Sequence, residues 1–280
     1  MSASTATALR DTVRIPTKRH LLMCPPTHFE VTYSINPWMD TDVVVDADLA
    51  MAQWSALRDC YRRLGHHVDT IQPVPGLPDM VFAANAGVVR AGRVLVANFT
   101  HAERQGEGPA YRRWFEGRGF ATVTTATEQN EGEGDVLSVG EIMLAGTGFR
   151  TSAAAHDELR RFFDVPVVTL DLVDPRFYHL DTALTVLDDR TVAYFPGAFS
   201  DSSVSVLNEL FPDAILVDES DACGFGLNAM SDGYNVVVSN TPVAFHEQLR
   251  DRGFNPIGVD TSELIKAGGS AKCATLELRP

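Results

Sequence analysis

Cysteine is scarce in this 280-residue chain. The four cysteines are Cys24, Cys60, Cys223 and Cys273, and no two stand in a C-x-x-C spacing. In a chain this long that excludes a disulfide framework and argues against a structural zinc site. It is the pattern of reduced thiols and points to the cytosol. No run of about 18 apolar residues occurs, so no transmembrane helix is expected. Positive charge is also short. Lys and Arg number 23 against 37 Asp and Glu, a net charge of -14. Nucleic acid and anionic membrane are therefore not the expected partners. A small cationic molecule would be attracted. The first dozen residues are rich in Ser, Thr and Ala and lack an apolar h-region, so they are not read as a secretory signal. Residues 1–17 are read as a flexible tail and 18–280 as a single domain. At 45% hydrophobic, the chain has the apolar surface for an ample core.

What is present is a repeat. Ala86–Val89, a polar turn over 90–93 and Val94–Ala97 read as a hairpin, with a helix near 109–117 behind it. The pattern recurs at Val136–Leu137 and Ile142–Leu144 with a helix near 153–163. It recurs at Ala183–Leu187 and Thr191–Phe195 with a helix near 202–211, and at Asn228–Met230 and Val236–Val238 with a helix near 243–252. Further strands are expected at Val167–Leu170 and Ile215–Val217. A first helix is expected over 47–64, with Ala50, Trp54, Leu57, Tyr61 and Leu64 on one face. The period is roughly 40 to 50 residues. Two strands lack hairpin partners, His20–Met23 and Ala274–Leu278. Pairing them completes a fifth unit and closes a ring. The expected fold is α/β: five β-β-α-β units around one axis.

Each first strand is preceded by polar residues. They are Asp79 and Asn85; Glu131, Glu133 and Asp135; His179 and Asp181; Asn228; and Cys273, which a glycine-rich loop delivers from Gly268. Rotation about an axis would bring them to one pocket. Taken singly, each has a plainer reading. A lone cysteine is more often a small buried apolar side chain, and Asp or Asn before a strand is often a turn residue. Recurrence at one offset in every unit argues for chemistry. Cys273 then supplies a nucleophilic thiolate, His179 moves protons, and one of Glu131 and Glu133 orients the histidine or acts as acid and base. Asp181 and Asp135 are acceptors when ionised. A planar guanidinium, rich in N–H donors, fits several carboxylates around a nucleophile.

From His20 to Leu278 the chain resembles the guanidine-modifying penteins: arginine deiminases, dimethylarginine dimethylaminohydrolases, amidinotransferases and arginine dihydrolases. The resemblance lies in Pro78–Asn85, Glu131–Val136, Gly148–Thr151, His179–Thr182 and Lys272–Cys273. It implies a five-bladed α/β propeller, no cofactor and no metal. It implies a covalent amidino-thioether on Cys273, acid–base work by His179, and a grip on the guanidinium nitrogens by Asp181. Arg150 would meet the substrate's α-carboxylate, and Asp79 its amino-acid end or guanidinium. Two positions depart from the deiminases. Asn85 stands where they carry an aspartate, and Gly132 leaves Glu131 and Glu133 as rival glutamates. Asn85, with Asn36 in the Ile35–Met39 loop, is closest to the arginine dihydrolase pattern. That pattern implies hydrolysis of arginine to ornithine, ammonia and carbon dioxide, or to citrulline if it stops early. The alternatives are a hydrolase of N-methylated arginines, an amidinotransferase, and a non-catalytic arginine-binding pentein. The implied partner is a small molecule. Self-association into a homo-oligomer is compatible with the sequence.

Overall fold

The structure is a computed structural model that describes residues 14–279. The expected tail therefore lies mostly outside the described residues. Its last four residues are described, and Thr17 N donates to Asp232 O at 2.8 Å.

The chain opens with β1 (His20–Met23), α1 (Ala47–Arg63) and β2 (His67–Thr70). The next unit is β3 (Gly87–Arg90), β4 (Arg93–Val96), α2 (Glu107–Glu116) and β5 (Thr122–Thr125). Then come β6 (Val136–Val139), β7 (Ile142–Thr147), α3 (Ala153–Phe163) and β8 (Val167–Asp171). The following unit adds a one-turn α4 (Leu180–Ala183) before β9 (Leu184–Val186), β10 (Val192–Tyr194), α5 (Asp201–Leu210) and β11 (Ile215–Leu216). A short α6 (Glu219–Cys223) leads to β12 (Met230–Ser231), β13 (Asn235–Ser239), α7 (Val243–Asp251) and β14 (Asn255–Val259). The chain ends with α8 (Ser262–Ile265) and β15 (Leu276–Glu277).

These strands form five three-stranded sheets. In each, the middle strand pairs antiparallel with its hairpin partner and parallel with the strand after the helix, as β4 does with β3 and β5. The split unit obeys the same rule. β1 pairs antiparallel with β15, Leu21 opposite Glu277, and parallel with β2. The predicted pairing of the chain's two ends is thus present.

Several helices begin where a side chain satisfies a free amide. Asp46 caps α1 through Leu49 N at 3.0 Å, Ser152 caps α3, and Ser200 caps α5. Each helix turns one face to its sheet. In α1, Trp54, Leu57 and Tyr61 are buried. Tyr61 Oη sits 3.1 Å from Thr275 Oγ1 and 3.3 Å from Ala271 O, so the core supports the loop that carries Cys273.

Three predicted strands start late. β9 is preceded by the turn of α4, β12 begins at Met230 and not Asn228, and β15 is reduced to Leu276–Glu277. Leu180–Ala183 forms a helical turn, and residues 271–274 form turns held by Ala274 N to Ser270 O and Thr275 N to Lys272 O. These segments bond to side chains and to their own backbone, and so leave the strand ladder.

Candidate active site

Cys273 lies in the turn before β15, 2% exposed. Asn228 clamps that turn. Its Oδ1 accepts from Ser270 N and Cys273 N, both at 3.0 Å, while its Nδ2 donates to Asp181 O at 3.1 Å and lies 3.0 Å from Cys273 Sγ. Only glycine fits at position 269, where a Cβ would come within 2.4 Å of the Phe82 ring. The thiol donates to Asp181 Oδ2 at 3.2 Å. Burial, and then the Asp181 carboxylate, push the thiol well above its usual range. Burial likewise pushes Asp181 up to about 7.

His179 stands at the N-cap position of α4, 1% exposed. Its Nε2 meets Glu131 Oε2 at 2.8 Å, and Arg150 Nη1 donates to the same oxygen at 3.0 Å. Burial raises the Glu131 pKa, but the bond to His179 and the charge of Arg150 outweigh it and hold Glu131 below the usual carboxylate range. Arg150 Nη2 donates to Ile35 O at 2.8 Å, and its guanidinium stacks 4.7 Å from the Tyr178 ring. Glu133 points elsewhere. Its Oε2 accepts from Lys272 Nζ at 2.8 Å and from Glu277 N at 3.0 Å.

A second buried group adjoins the first. Arg104 grips Glu107 with two bonds of 2.8 and 2.9 Å, donates from Nη1 to Asn85 Oδ1 at 3.0 Å, and lies 3.8 Å from Asp79 Oδ2. Burial works against its charge, yet Glu107 holds Arg104 well above its ordinary value. The Asn85 amide is thereby oriented, and its Nδ2 donates to Glu131 O at 3.1 Å. Tyr33 donates to Asp79 Oδ2 at 3.0 Å. Gly134 makes room for this arrangement. A Cβ there would lie 2.2 Å from Asn85 Nδ2 and 3.2 Å from His179 Nδ1.

Three buried atoms in this region have no hydrogen-bond partner among the described residues: Asp79 Oδ1, Asp181 Oδ1 and His179 Nδ1. Buried polar atoms are almost always paired, so an unpaired cluster is a mark of function. Two unpaired carboxylate oxygens, one of them on the carboxylate that meets the thiol, and an unpaired imidazole nitrogen suit a ligand that brings its own N–H donors.

The sequence-derived residues thus separate. Cys273 and Asp181 form one buried group with Asn228, and His179, Glu131, Arg150, Asn85 and Asp79 form another, linked through Arg104. Asp135 serves as a brace: its Oδ1 accepts from Leu180 N at 3.0 Å and its Oδ2 from Thr151 N at 3.2 Å, and burial raises it to about 6. Asn36 is spent on backbone, donating to Ala267 O, just before the Cys273 loop, at 3.1 Å and accepting from Trp38 N of its own loop at 2.9 Å. Sequence reasoning missed Arg104, Glu107, Tyr33 and Tyr178. The Arg104–Glu107 spacing of three residues was the available signal, but at a helix start it reads as a solvent-exposed pair.

The segment between β1 and α1 covers the site. Tyr33 reaches Asp79, Ile35 O holds Arg150, and Trp38 Nε1 donates to Arg176 O at 2.8 Å with its ring against Phe225.

No protein-family model matches the chain. Over 267 residues it is 54% identical to an N(G),N(G)-dimethylarginine dimethylaminohydrolase of Mycobacterium tuberculosis, covering 95% of this chain and 88% of that protein. It is 38% identical to the bifunctional arginine dihydrolase/ornithine cyclodeaminase AgrE of a Nostoc species, over 92% of this chain and 37% of AgrE. Among solved structures, the substrate-bound N-terminal domain of ArgZ, a cyanobacterial arginine dihydrolase, superposes with a TM-score of 0.91 at 38% identity, covering 94% of this chain and 98% of that one.

Proposed function

The chain belongs to the guanidine-modifying penteins, the family of the dimethylarginine dimethylaminohydrolases and the arginine dihydrolases, and from that premise we propose that it hydrolyses the guanidinium group of L-arginine. The observation that carries this reading is the set of unpartnered buried polar atoms, Asp181 Oδ1 on the carboxylate that meets the thiol, Asp79 Oδ1 and His179 Nδ1. In the same reading the five sheets surround one axis as a single domain, with β15 and β1 closing the ring.

The substrate enters when the segment over 24–46 lifts. Lifting releases Ile35 O and frees Arg150 Nη2 for the α-carboxylate, while Asp79 takes the amino-acid end. The guanidinium settles against Asp181. Its positive charge neutralises the carboxylate that disfavours the thiolate, so binding itself makes Cys273 a nucleophile. The Sγ–Cζ bond forms as the thiol proton passes to His179. That proton goes on to the departing nitrogen as the C–N bond breaks, and ammonia leaves. Water then attacks Cζ, gives a proton to His179, and the Sγ–Cζ bond breaks to leave citrulline and the thiol. Glu131 holds the histidine throughout. The Asn85 amide can donate to a ureido oxygen, which an aspartate cannot. It favours a second round on citrulline, so that arginine and two waters give ornithine, two ammonia and carbon dioxide.

The second reading, an N-methylated arginine as substrate, is favoured by the 54% identity to the mycobacterial enzyme. Methylation removes N–H donors from a site whose buried acceptors need them, at a cost of about 1–3 kcal/mol for each left unpaired.

The test is a product assay on arginine, asymmetric dimethylarginine and citrulline, each incubated separately with the purified protein. Ornithine from arginine without accumulating citrulline supports the first reading. Citrulline and dimethylamine from dimethylarginine alone overturn it in favour of the second. Cys273→Ser lowers turnover by about a thousandfold or more; activity that survived it would exclude the covalent route.

A further inference from the structure

β1 and β2 run parallel in register, with His20 opposite His67 and Leu22 opposite Asp69. Residues two apart on a strand share a face, so Asp69 lies on the face of His67. His20 joins them: its Nε2 is 2.9 Å from Asp69 Oδ2, its ring centroid is 4.5 Å from that of His67, and His67 Nε2 is 3.6 Å from Asp69 Oδ1. One donor atom from each of the three residues lies within 4.8 Å of the others.

We propose that His20, His67 and Asp69 form a surface site for a divalent transition-metal ion of the zinc class, with its fourth position open to water. Zinc holds imidazole nitrogen and carboxylate oxygen at about 2.0–2.2 Å in a tetrahedron, whose edges are then about 3.3 Å. The two imidazoles approach opposite oxygens of Asp69, at 2.9 Å to Oδ2 and 3.6 Å to Oδ1, and the three donor atoms within 4.8 Å of one another are close enough to converge on one ion. Two imidazoles and one carboxylate select zinc, nickel or copper over calcium or magnesium. The histidine side chains are 43% and 68% exposed, so an ion reaches them from solvent, displacing the His20–Asp69 hydrogen bond. Arg118 Nη1, 3.4 Å from Asp69 Oδ1, competes for the carboxylate and keeps the affinity moderate. The ion would tie β1 to β2. Because β1 also pairs with β15, it would fasten the sheet that joins the two ends of the chain.

The test is calorimetric titration of the full chain with zinc chloride, in the Cys273→Ser background so that the buried thiol does not contribute. One zinc equivalent disappears, or weakens by about tenfold or more, in both His20→Ala and His67→Ala. Zinc raises the thermal midpoint of the parent and not of His67→Ala. His67 is largely solvent-exposed, so its removal leaves packing intact. Equal zinc stoichiometry and affinity in parent and His67→Ala, or no binding to the parent, overturns the proposal.

Discussion

The Cys273 thiol donates to the Asp181 carboxylate at 3.2 Å, with both residues almost wholly buried. The carboxylate makes the thiolate harder to form, whereas the thiol's hydrogen bond favours the carboxylate, which burial pushes up. Without a cation between them, the favoured state is a thiol beside a carboxyl group that gives up its proton only near neutral pH.

Burial of the carboxylates makes stability depend on pH. Burial raises Asp181 to about 7 and Asp135 to about 6 in the folded chain. In the unfolded chain both ionise near 3.9 or so. Between these values the folded state holds more protons, so stability falls as pH rises from about 4 to about 7. Glu131 acts oppositely. Its folded value is depressed, so its contribution is present above the unfolded carboxylate range and is lost only on acidification. It does not offset the fall between pH 5 and 8. Differential scanning fluorimetry should show a midpoint that declines across that window, and Asp181→Asn should flatten the decline. An unchanged slope in the variant would remove Asp181 as a source.

The two glutamates should separate by their failures. Glu131→Gln takes the charged partner from His179 and from the buried Arg150, so kcat should fall about hundredfold in addition to a stability cost of about 3 kcal/mol. Glu133→Gln strands Lys272, whose side chain is 12% exposed, and should cost about 3 kcal/mol of stability while kcat changes little. Steady-state kinetics beside denaturant unfolding reads both. A kcat loss in Glu133→Gln equal to that in Glu131→Gln would return Glu133 to the chemistry.

Gly134→Ala should disable the site without altering any reacting group. The new methyl meets Asn85 Nδ2 at 2.2 Å, so the amide must leave its bond to Glu131 O. We expect kcat to fall about hundredfold, with a lower thermal midpoint, as positioning is lost. Wild-type turnover in this variant would mean that the Asn85 orientation does not matter to the reaction.

Much of this was legible along the chain. Alternating hairpins and amphipathic helices recur, and polar residues precede the strands that begin at Gly87, Val136, Leu184, Met230 and Leu276. The choice between Glu131 and Glu133 was not legible. They flank Gly132 in a tight turn, one facing His179, the other Lys272 and the start of β15. Nor did the sequence reveal that Asp135 and Asn36 spend their polar atoms on neighbouring backbone, or that Arg104 and Glu107 form a buried pair behind Asn85.

The sequence by itself determined the repeat, the hairpin–helix order, the pairing of first and last strands, and the residue types available for chemistry. Those depend on local periodicity and turn propensity, which neighbouring residues settle among themselves. Only the tertiary structure decided which side chains meet. Cys273 and Asp181 are 92 residues apart, and His179 and Glu131 are 48 apart. Contacts at such separations, and the exclusion of water that shifts the thiol and its carboxylate, exist only after the sheets have packed.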